Sequence, residues 1–568
     1  MITARYAPLL TCMAHLAAMA SLGCPPASAA VAKGAARVDI SALSQRVGDC
    51  FGREDPDCAD TAITALEAHT STSSAVAYTR GYQALLAGRF AAAAEILDGV
   101  AANRLVPRSL HQRALEFAAL ARETAAATAG FERHLIAGGR FEVWLQPGPD
   151  EVMLGGMERV LQAALPKLEA AFGPAPKKPI TIHIYPRVDS LARVSGLTIK
   201  QIRASGTIAL CKYNRLMLTS PNDLVFGYPW ADTLTHELVH FLIIKHGGEQ
   251  VPIWLHEGLA RSFEAIWRDG SALTLDAEEF AALSVASRRG RLIPFSRMSP
   301  TMAQLPSQEA TQLAFAEVHH AVIWLLTRPP RVARPTPGPR AVAAPVAEAA
   351  RQPQAIASAR RLVSLFGDGA SEAAVIEAFL GARPKAFVAA WRRALLKEMR
   401  ELPAAVAAGG SRGALVFKRV ARGKGPLARL DADARRFVEL GDRLLALERP
   451  LAAVIEYRKA LARGADAGPL LRARFGRALL RLGKNDEAAA EIDIALREHP
   501  SHAPLLVLRS ETLLAQGKAR QALAAAEKAS WINPFDPGIH RVCRSAWLQL
   551  GDKEQAAAAL LREKKLQP

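Results

Sequence analysis

Sixteen residues separate His240 from Glu257, and the two motifs at either end of that interval constrain this chain more than any other feature. His236, Glu237, Leu238, Val239 and His240 read as one turn of helix, on which positions four apart lie on one face, so both imidazoles reach one point with Glu237 beside them. Zinc used catalytically takes three protein ligands, leaves one position for water, and works beside a carboxylate that accepts the water's proton. His236, His240 and Glu257 supply the ligands and Glu237 the base. A lone His-Glu-x-x-His also arises on ordinary amphipathic helices; the second motif is what separates the two readings. Trp254, Leu255, Leu259 and Ala260 frame Glu257 with apolar surface, where a carboxylate is costly without a cation partner.

Together the two halves, His236 to His240 and the run Pro252, Ile253, Trp254, Leu255, His256, Glu257, Gly258, Leu259, Ala260, resemble the gluzincin metallopeptidases, in wording close to their bacterial peptidase-MA-like branch. The resemblance covers residues 136–400 and is specific only over 235–261. It implies a thermolysin-like catalytic domain with a small mixed sheet, a Zn²⁺ ion, two histidine ligands on one helix and the third ligand, Glu257, on the next.

At 568 residues the chain exceeds one core, and three or four units are expected. Its net charge of +18 invites a nucleic-acid reading, but the basic residues are mostly arginines scattered through Ala-rich segments without interleaved aromatics, so no nucleic-acid partner is expected. Residues 1–29 read as a signal peptide: Arg5, then an apolar stretch from Ala7 to Leu22, then Ala27-Ser28-Ala29 as a cleavage site. The chain is therefore expected to be periplasmic or extracellular. Ser21 to Cys24 is similar to a lipoprotein box with serine where leucine is usual, which leaves a membrane anchor through lipidated Cys24 as the lesser option. Export permits disulfides, and the polar, turn-rich loop between Cys50 and Cys58 favours a bridge there, while Cys211 and Cys543 read as separate thiols.

In order, residues 30–135 are helical and Ala-rich. Their clearest piece, two amphipathic helices meeting at Gly88, reads either as a degenerate tetratricopeptide (TPR) hairpin or as an undistinguished helical pair. Residues 136–400 alternate between strand and helix periodicity: 140–145 and Ile180–Tyr185 as strands, Met157 to Phe172 as a helix, then a strand pair at 206–210 and 215–219 joined through Lys212, Tyr213 and Asn214. The fold class is thus α+β, mostly helical and multidomain. An edge strand there is expected to pair with an extended peptide. His183 reads as structural. Residues 328–356 read as a low-complexity insertion and 401–430 as a linker.

Three residues near the motif are read separately. Asp232, one turn before His236, either orients a ligand imidazole or favours the helix start. His246 sits where metzincins place a third ligand, but Ile243 stands where their turn glycine belongs, so the helix continues and carries His246 away. His256 points about 100° from Glu257 on a helix and is left out of the ligand set. An oxyanion donor is the hardest part to place. In the related family a tyrosine commonly lies near the start of the helix around Ala314 to Leu326, where this chain has Phe315. His319 and His320 follow and are the candidates, with Tyr228 a weaker one.

Residues 431–568 repeat. Gly483, Gly517 and Gly551 recur every 34 residues, as do Pro500 and Pro534, and Ala488 and Ala495 recur as Ala522 and Ala529. Ala453, Tyr457 and Ala460 mark an earlier copy. The pattern resembles TPR repeats, which form an α-solenoid that binds protein segments. Two functions follow as expectations: an exported zinc metallopeptidase acting on a peptide or protein substrate, with the repeats holding a protein partner, or a binding scaffold with a metal-holding but inactive peptidase-like domain.

Overall fold

The computed structural model describes residues 39–70, 73–268, 275–299, 305–328, 348–381, 383–401, 430–463 and 468–566, with Leu273 and Met302. The expected signal peptide (1–29), residues 402–429 of the expected linker and residues 329–347 of the expected insertion lie outside these. The chain divides into two compact units that interleave in sequence, one formed by 1–144, 161–218 and 234–407, the other by 145–160, 219–233 and 408–568.

The first unit opens with helices α1 (Ile40–Gly52), α2 (Pro56–Thr70), α3 (Ser74–Leu86), α4 (Phe90–Ala102) and α5 (Arg108–Thr128). Asp39 starts α1 by accepting the backbone N–H groups of Ser41 and Ala42. These helices, expected as a separate N-terminal region, share one core with the sheet that follows: Val47, Phe51, Tyr82 and Phe117 cluster with Tyr185, Leu191, Tyr213 and Met217. The α3–α4 pair carries the stamp of the C-terminal repeats. Gly81 meets Leu97 sixteen positions on, as Gly441 meets Tyr457 and Gly476 meets Ile492. A residue without Cβ at the crossing lets the two helices approach closely.

Strands β1 (Glu132–Ile136), β2 (Phe141–Leu145), β3 (Ile180–Tyr185), β4 (Ala209–Lys212) and β5 (Arg215–Thr219) form one sheet in the order β1-β2-β3-β5-β4. The sequence reading missed β1, four of whose five residues are exposed or half-exposed, leaving no alternation to detect. It also set the β4 strand too early. The turn is the two-residue Tyr213-Asn214, with φ of 59° and 60°, the left-handed pair of a type I′ hairpin whose twist matches its strands. Lys212 therefore lies opposite Arg215 and Cys211 opposite Leu216.

The helices of this part are α6 (Leu154–Phe172), α7 (Val188–Ser195), α8 (Ile199–Ser205), α9 (Trp230–Gly247), α10 (Ile253–Phe263), α11 (Ala277–Arg288), α12 (Gln308–Leu326), α13 (Glu348–Gly367), α14 (Glu372–Leu380) and α15 (Pro384–Glu401). Helix α13 already runs through residues 348–356, which the low-complexity reading had assigned to the insertion. Helix α10 packs on α12 at Gly258: a Cβ there would stand 2.4 Å from a Val322 methyl and 2.6 Å from the Val318 carbonyl. On the other side Trp254 stacks on Phe295 at 4.9 Å and donates its indole N–H to Glu372. The apolar frame seen in the sequence is thus the wedge that seats α10.

The described residues of the second unit form four helical hairpins: α16 (Ala432–Ala446) with α17 (Pro450–Ala462), α18 (Gly468–Arg481) with α19 (Asn485–Glu498), α20 (Ala503–Ala515) with α21 (Ala519–Ser530), and α22 (Pro537–Gln549) with α23 (Lys553–Lys565). Gly483, Gly517 and Gly551 take φ of 73°, 74° and 83° at the turns of the last three. The first hairpin puts Glu448 there at 55°, which is why the glycine period fades in that copy. Residues 219–233 belong to this unit through backbone as well as rings: the Tyr228 N–H donates to the Ile532 carbonyl at 3.0 Å, the Trp230 indole to the Ser530 carbonyl at 2.8 Å, and Trp230 lies 5.5 Å from Trp531. Among the described residues no helix is long and apolar enough to cross a membrane.

Gly258→Ala drives a methyl into backbone and is expected to cost about 2 kcal/mol in a urea unfolding titration, since overpacking a tight site typically costs 1–3 kcal/mol.

Candidate metal centre

Helix α9 places His236 and His240 one turn apart, and α10 brings Glu257 to the same point. The Nε2 atoms of the two histidines are 3.1 Å apart, and Glu257 Oε2 is 3.3 Å from each. Ligand atoms held about 2.0–2.1 Å from a tetrahedral zinc stand roughly 3.3–3.4 Å from one another. The three atoms therefore outline one face of such a tetrahedron, and no other combination of His, Cys, Asp and Glu among the described residues closes into a comparable cluster. Their side chains are 11–16% exposed, buried enough to strengthen electrostatics.

Each imidazole is oriented from behind by its Nδ1. His236 donates to Glu264 Oε2 at 3.1 Å, while His240 Nδ1 lies 2.6 Å from His256 Nδ1. With Nε2 directed at the ligand triangle, the His240 Nδ1–H donates to a neutral His256, whose buried Nε2 has no partner among the described residues. One ligand histidine thus leans on a carboxylate and the other on a neutral ring. Glu264 is itself fixed by Arg261, which also donates to Glu279 at 2.7 Å, and Glu279 accepts from His319 Nδ1 at 3.0 Å. Glu264 and His256 are the groups that meet the Nδ1 atoms of the two imidazoles. Sequence reasoning missed Glu264, although Glu257, Arg261 and Glu264 fall at i, i+4 and i+7, a spacing that puts all three on one side of α10.

The electrostatics ask for a cation. Burial alone would lower the His236 pKa, but hydrogen bonds to Glu257 and Glu264 carry it up to about 10. Burial would raise Glu257, yet His240 and His236 hold it well below the usual carboxylate range. Without a metal, a proton stands in for the positive charge the triangle is built to surround. Glu237 is buried, one oxygen receives the Cys211 backbone N–H, and its Oε2 has no partner among the described residues. Burial raises its pKa against the lowering pull of His240 and His236. A buried carboxylate oxygen left unpaired one residue from a ligand histidine is poised to accept a proton.

The two histidines expected as oxyanion donors differ in how far their rings are engaged. His320 accepts the Trp391 indole N–H at 2.9 Å on Nδ1 and meets Glu398 at 3.0 Å on Nε2, so both ring nitrogens are taken. His319 is buried against Glu279. Tyr228 donates its hydroxyl to the Thr219 carbonyl. Helix α12 instead turns Phe315 toward the site, its ring 6.2 Å from that of His236. The position inspected for a tyrosine does face the centre, and it carries no hydroxyl. His246 lies away from the triangle, bonded to the Pro174 carbonyl, and His183 is buried against Tyr185, as the sequence suggested.

Residues 160–329 match the family model of the Peptidase MA superfamily, a span that contains every residue of the triangle and of its supports. No curated protein matches the chain in sequence. Among solved structures, TTC0263, a thermophilic TPR protein of Thermus thermophilus, is 23% identical over 24% of this chain and 74% of that one, with a TM-score of 0.23. The TPR domain of P58(IPK) is 11% identical over 91% and 89%, with a TM-score of 0.20. Native yeast LTA4 hydrolase is 10% identical over 77% and 67%, with a TM-score of 0.27. TM-scores this low carry no argument about fold or function.

Because His236 holds a proton in the metal-free protein, zinc uptake near neutral pH is expected to release about one proton. Isothermal titration in buffers of different ionisation enthalpy measures it, and apparent affinity should rise roughly tenfold per pH unit between about pH 6 and 8.

Proposed function

We propose that the chain is an exported zinc metallopeptidase that hydrolyses peptide bonds in a protein or peptide substrate. The observation that carries this reading is the 3.1–3.3 Å triangle of His236, His240 and Glu257 with the unpaired Glu237 Oε2 beside it. A zinc ion held by His236, His240 and Glu257 would supply a Lewis acid for the scissile carbonyl and would lower the pKa of water there. Glu237 is placed to accept a proton from the attacking water and to return it to the departing amine. Glu264 and His256 hold the ligand imidazoles in the tautomer that leaves Nε2 free. Strand β4 ends the sheet, and the part of its outer edge beyond the Cys211 N–H suits pairing with an extended peptide. The Cys50–Cys58 bridge supports residence in an oxidising compartment, periplasmic or extracellular. The repeats are read as the surface for a protein partner.

One observation favours a second reading. Phe315 occupies the position facing His236 where a hydroxyl would steady the oxyanion, as expected of a metal-holding scaffold that does not turn over.

Purified chain is expected to hold one zinc per molecule by mass spectrometry of the metal, and the His236→Ala, His240→Ala double variant to hold none. Glu237→Gln should keep the zinc and lose at least about 10²-fold in hydrolysis of a broad peptide library, in line with the usual worth of a general base. Full zinc with no hydrolysis by the native chain would give the second reading.

A further inference from the structure

The loop between Cys50 and Cys58 takes no part in the chemistry above, yet it reaches the turn that ends the edge strand. The disulfide joins α1 to the start of α2, with Cα atoms 5.5 Å apart. Inside the bracket Glu54 has φ of +48°, and the loop is closed by Glu54 N–H on the Phe51 carbonyl and Asp55 N–H on the Cys50 carbonyl, both at 2.9 Å. A left-handed glutamate is strained unless its surroundings hold it there. The residue is 5% exposed.

Every oxygen of Glu54 is engaged. The carboxylate accepts the backbone N–H groups of Tyr213 at 3.0 Å and Asn214 at 2.6 Å, the two residues of the type I′ turn between β4 and β5. Its carbonyl accepts Lys245 Nζ at 2.6 Å, and the same ammonium donates to Asn214 Oδ1 at 2.6 Å. Lys245 stands on α9, five positions after the ligand His240. One buried glutamate thus ties the tip of the hairpin to the helix that carries the metal ligands.

The other end of this tie is at Glu237. In a two-residue hairpin the residues flanking the turn, Lys212 and Arg215, exchange hydrogen bonds, so Cys211 falls at a position whose N–H and C=O point away from β5. Because β4 ends the sheet, those groups face its free edge. The Cys211 N–H is the one donating to Glu237. Helix and edge strand are therefore fastened at two points, Glu237 to Cys211 and Lys245 to the turn through Glu54 and Asn214.

We infer that Glu54, held in shape by the Cys50–Cys58 bridge, is a positioning residue that sets the register of the substrate-pairing edge of β4 against Glu237. This rests on the reading of Glu237 as the base and of β4 as the edge that pairs with peptide. Removing the carboxylate charge leaves the Tyr213 and Asn214 amides sharing one acceptor, and the turn, the strand and the Cys211 amide loosen together while the ligand triangle stays intact.

The test compares native chain, Glu54→Gln, Glu54→Asp and the Cys50→Ser, Cys58→Ser double variant, each metal-free and zinc-loaded. In metal-free protein, amide hydrogen exchange over residues 209–216 should quicken by about tenfold or more in Glu54→Gln and in the double variant, the loss of one charge-assisted hydrogen bond. Exchange in α19 to α23 should stay unchanged, and zinc should still bind one per chain. In loaded protein kcat and KM should both worsen in Glu54→Gln, with partial recovery in Glu54→Asp. Unchanged exchange at Cys211, Tyr213 and Asn214 would overturn the inference, as would quickened exchange with unaltered kcat and KM. A native chain that never hydrolyses peptide fails the proposed function instead, and the exchange measurement then still decides whether Glu54 holds the strand.

Discussion

The structure depends on one arrangement: a glutamate carboxylate set 3.3 Å from two imidazole nitrogens that are themselves 3.1 Å apart. Three donor atoms so close repel or waste their lone pairs unless something positive lies among them, and burial makes the alternative expensive. The surrounding groups converge on the same demand. Glu264 and His256 turn the rings inward, Arg261 fixes Glu264, and the protonation that His236 adopts without metal supplies the missing charge.

Much of the first unit can be understood as support for that point. Gly258 lets α10 sink against α12 and so brings Glu257 to the histidines of α9. Trp254, stacked on Phe295 and bonded to Glu372, seats the other side of the same helix. The ladder from His236 through Glu264, Arg261 and Glu279 to His319 carries fixed charge from the ligand to α12. His319 thereby stands at the far end of the hydrogen-bonded chain behind His236.

Local sequence revealed what local geometry controls. The i, i+4 histidines, the apolar frame of Glu257, the 34-residue glycine period and the Cys50–Cys58 loop each depend on a few neighbouring residues, and each has its counterpart in the fold. Contacts between distant segments left no such trace. Glu54 meets Tyr213 across 159 positions, and nothing in the spacing of either announces it. Strand β1, largely exposed, lacked the alternation that betrays a half-buried strand. His320 meets Trp391 and Glu398 of α15, more than 70 residues on, and its local sequence does not announce either partner. Glu264 was the one legible omission, since its i+7 spacing from Glu257 could have been read.

The central claim is that these three side chains bind one metal as a tetrahedral face. A crystal of the zinc-loaded chain, measured on both sides of the zinc absorption edge, tests it directly. The account predicts a single anomalous peak about 2.0–2.2 Å from His236 Nε2, His240 Nε2 and a Glu257 carboxylate oxygen, with a fourth position left to solvent. A peak held by His256 or Cys211, or no peak within reach of Glu257, would contradict it.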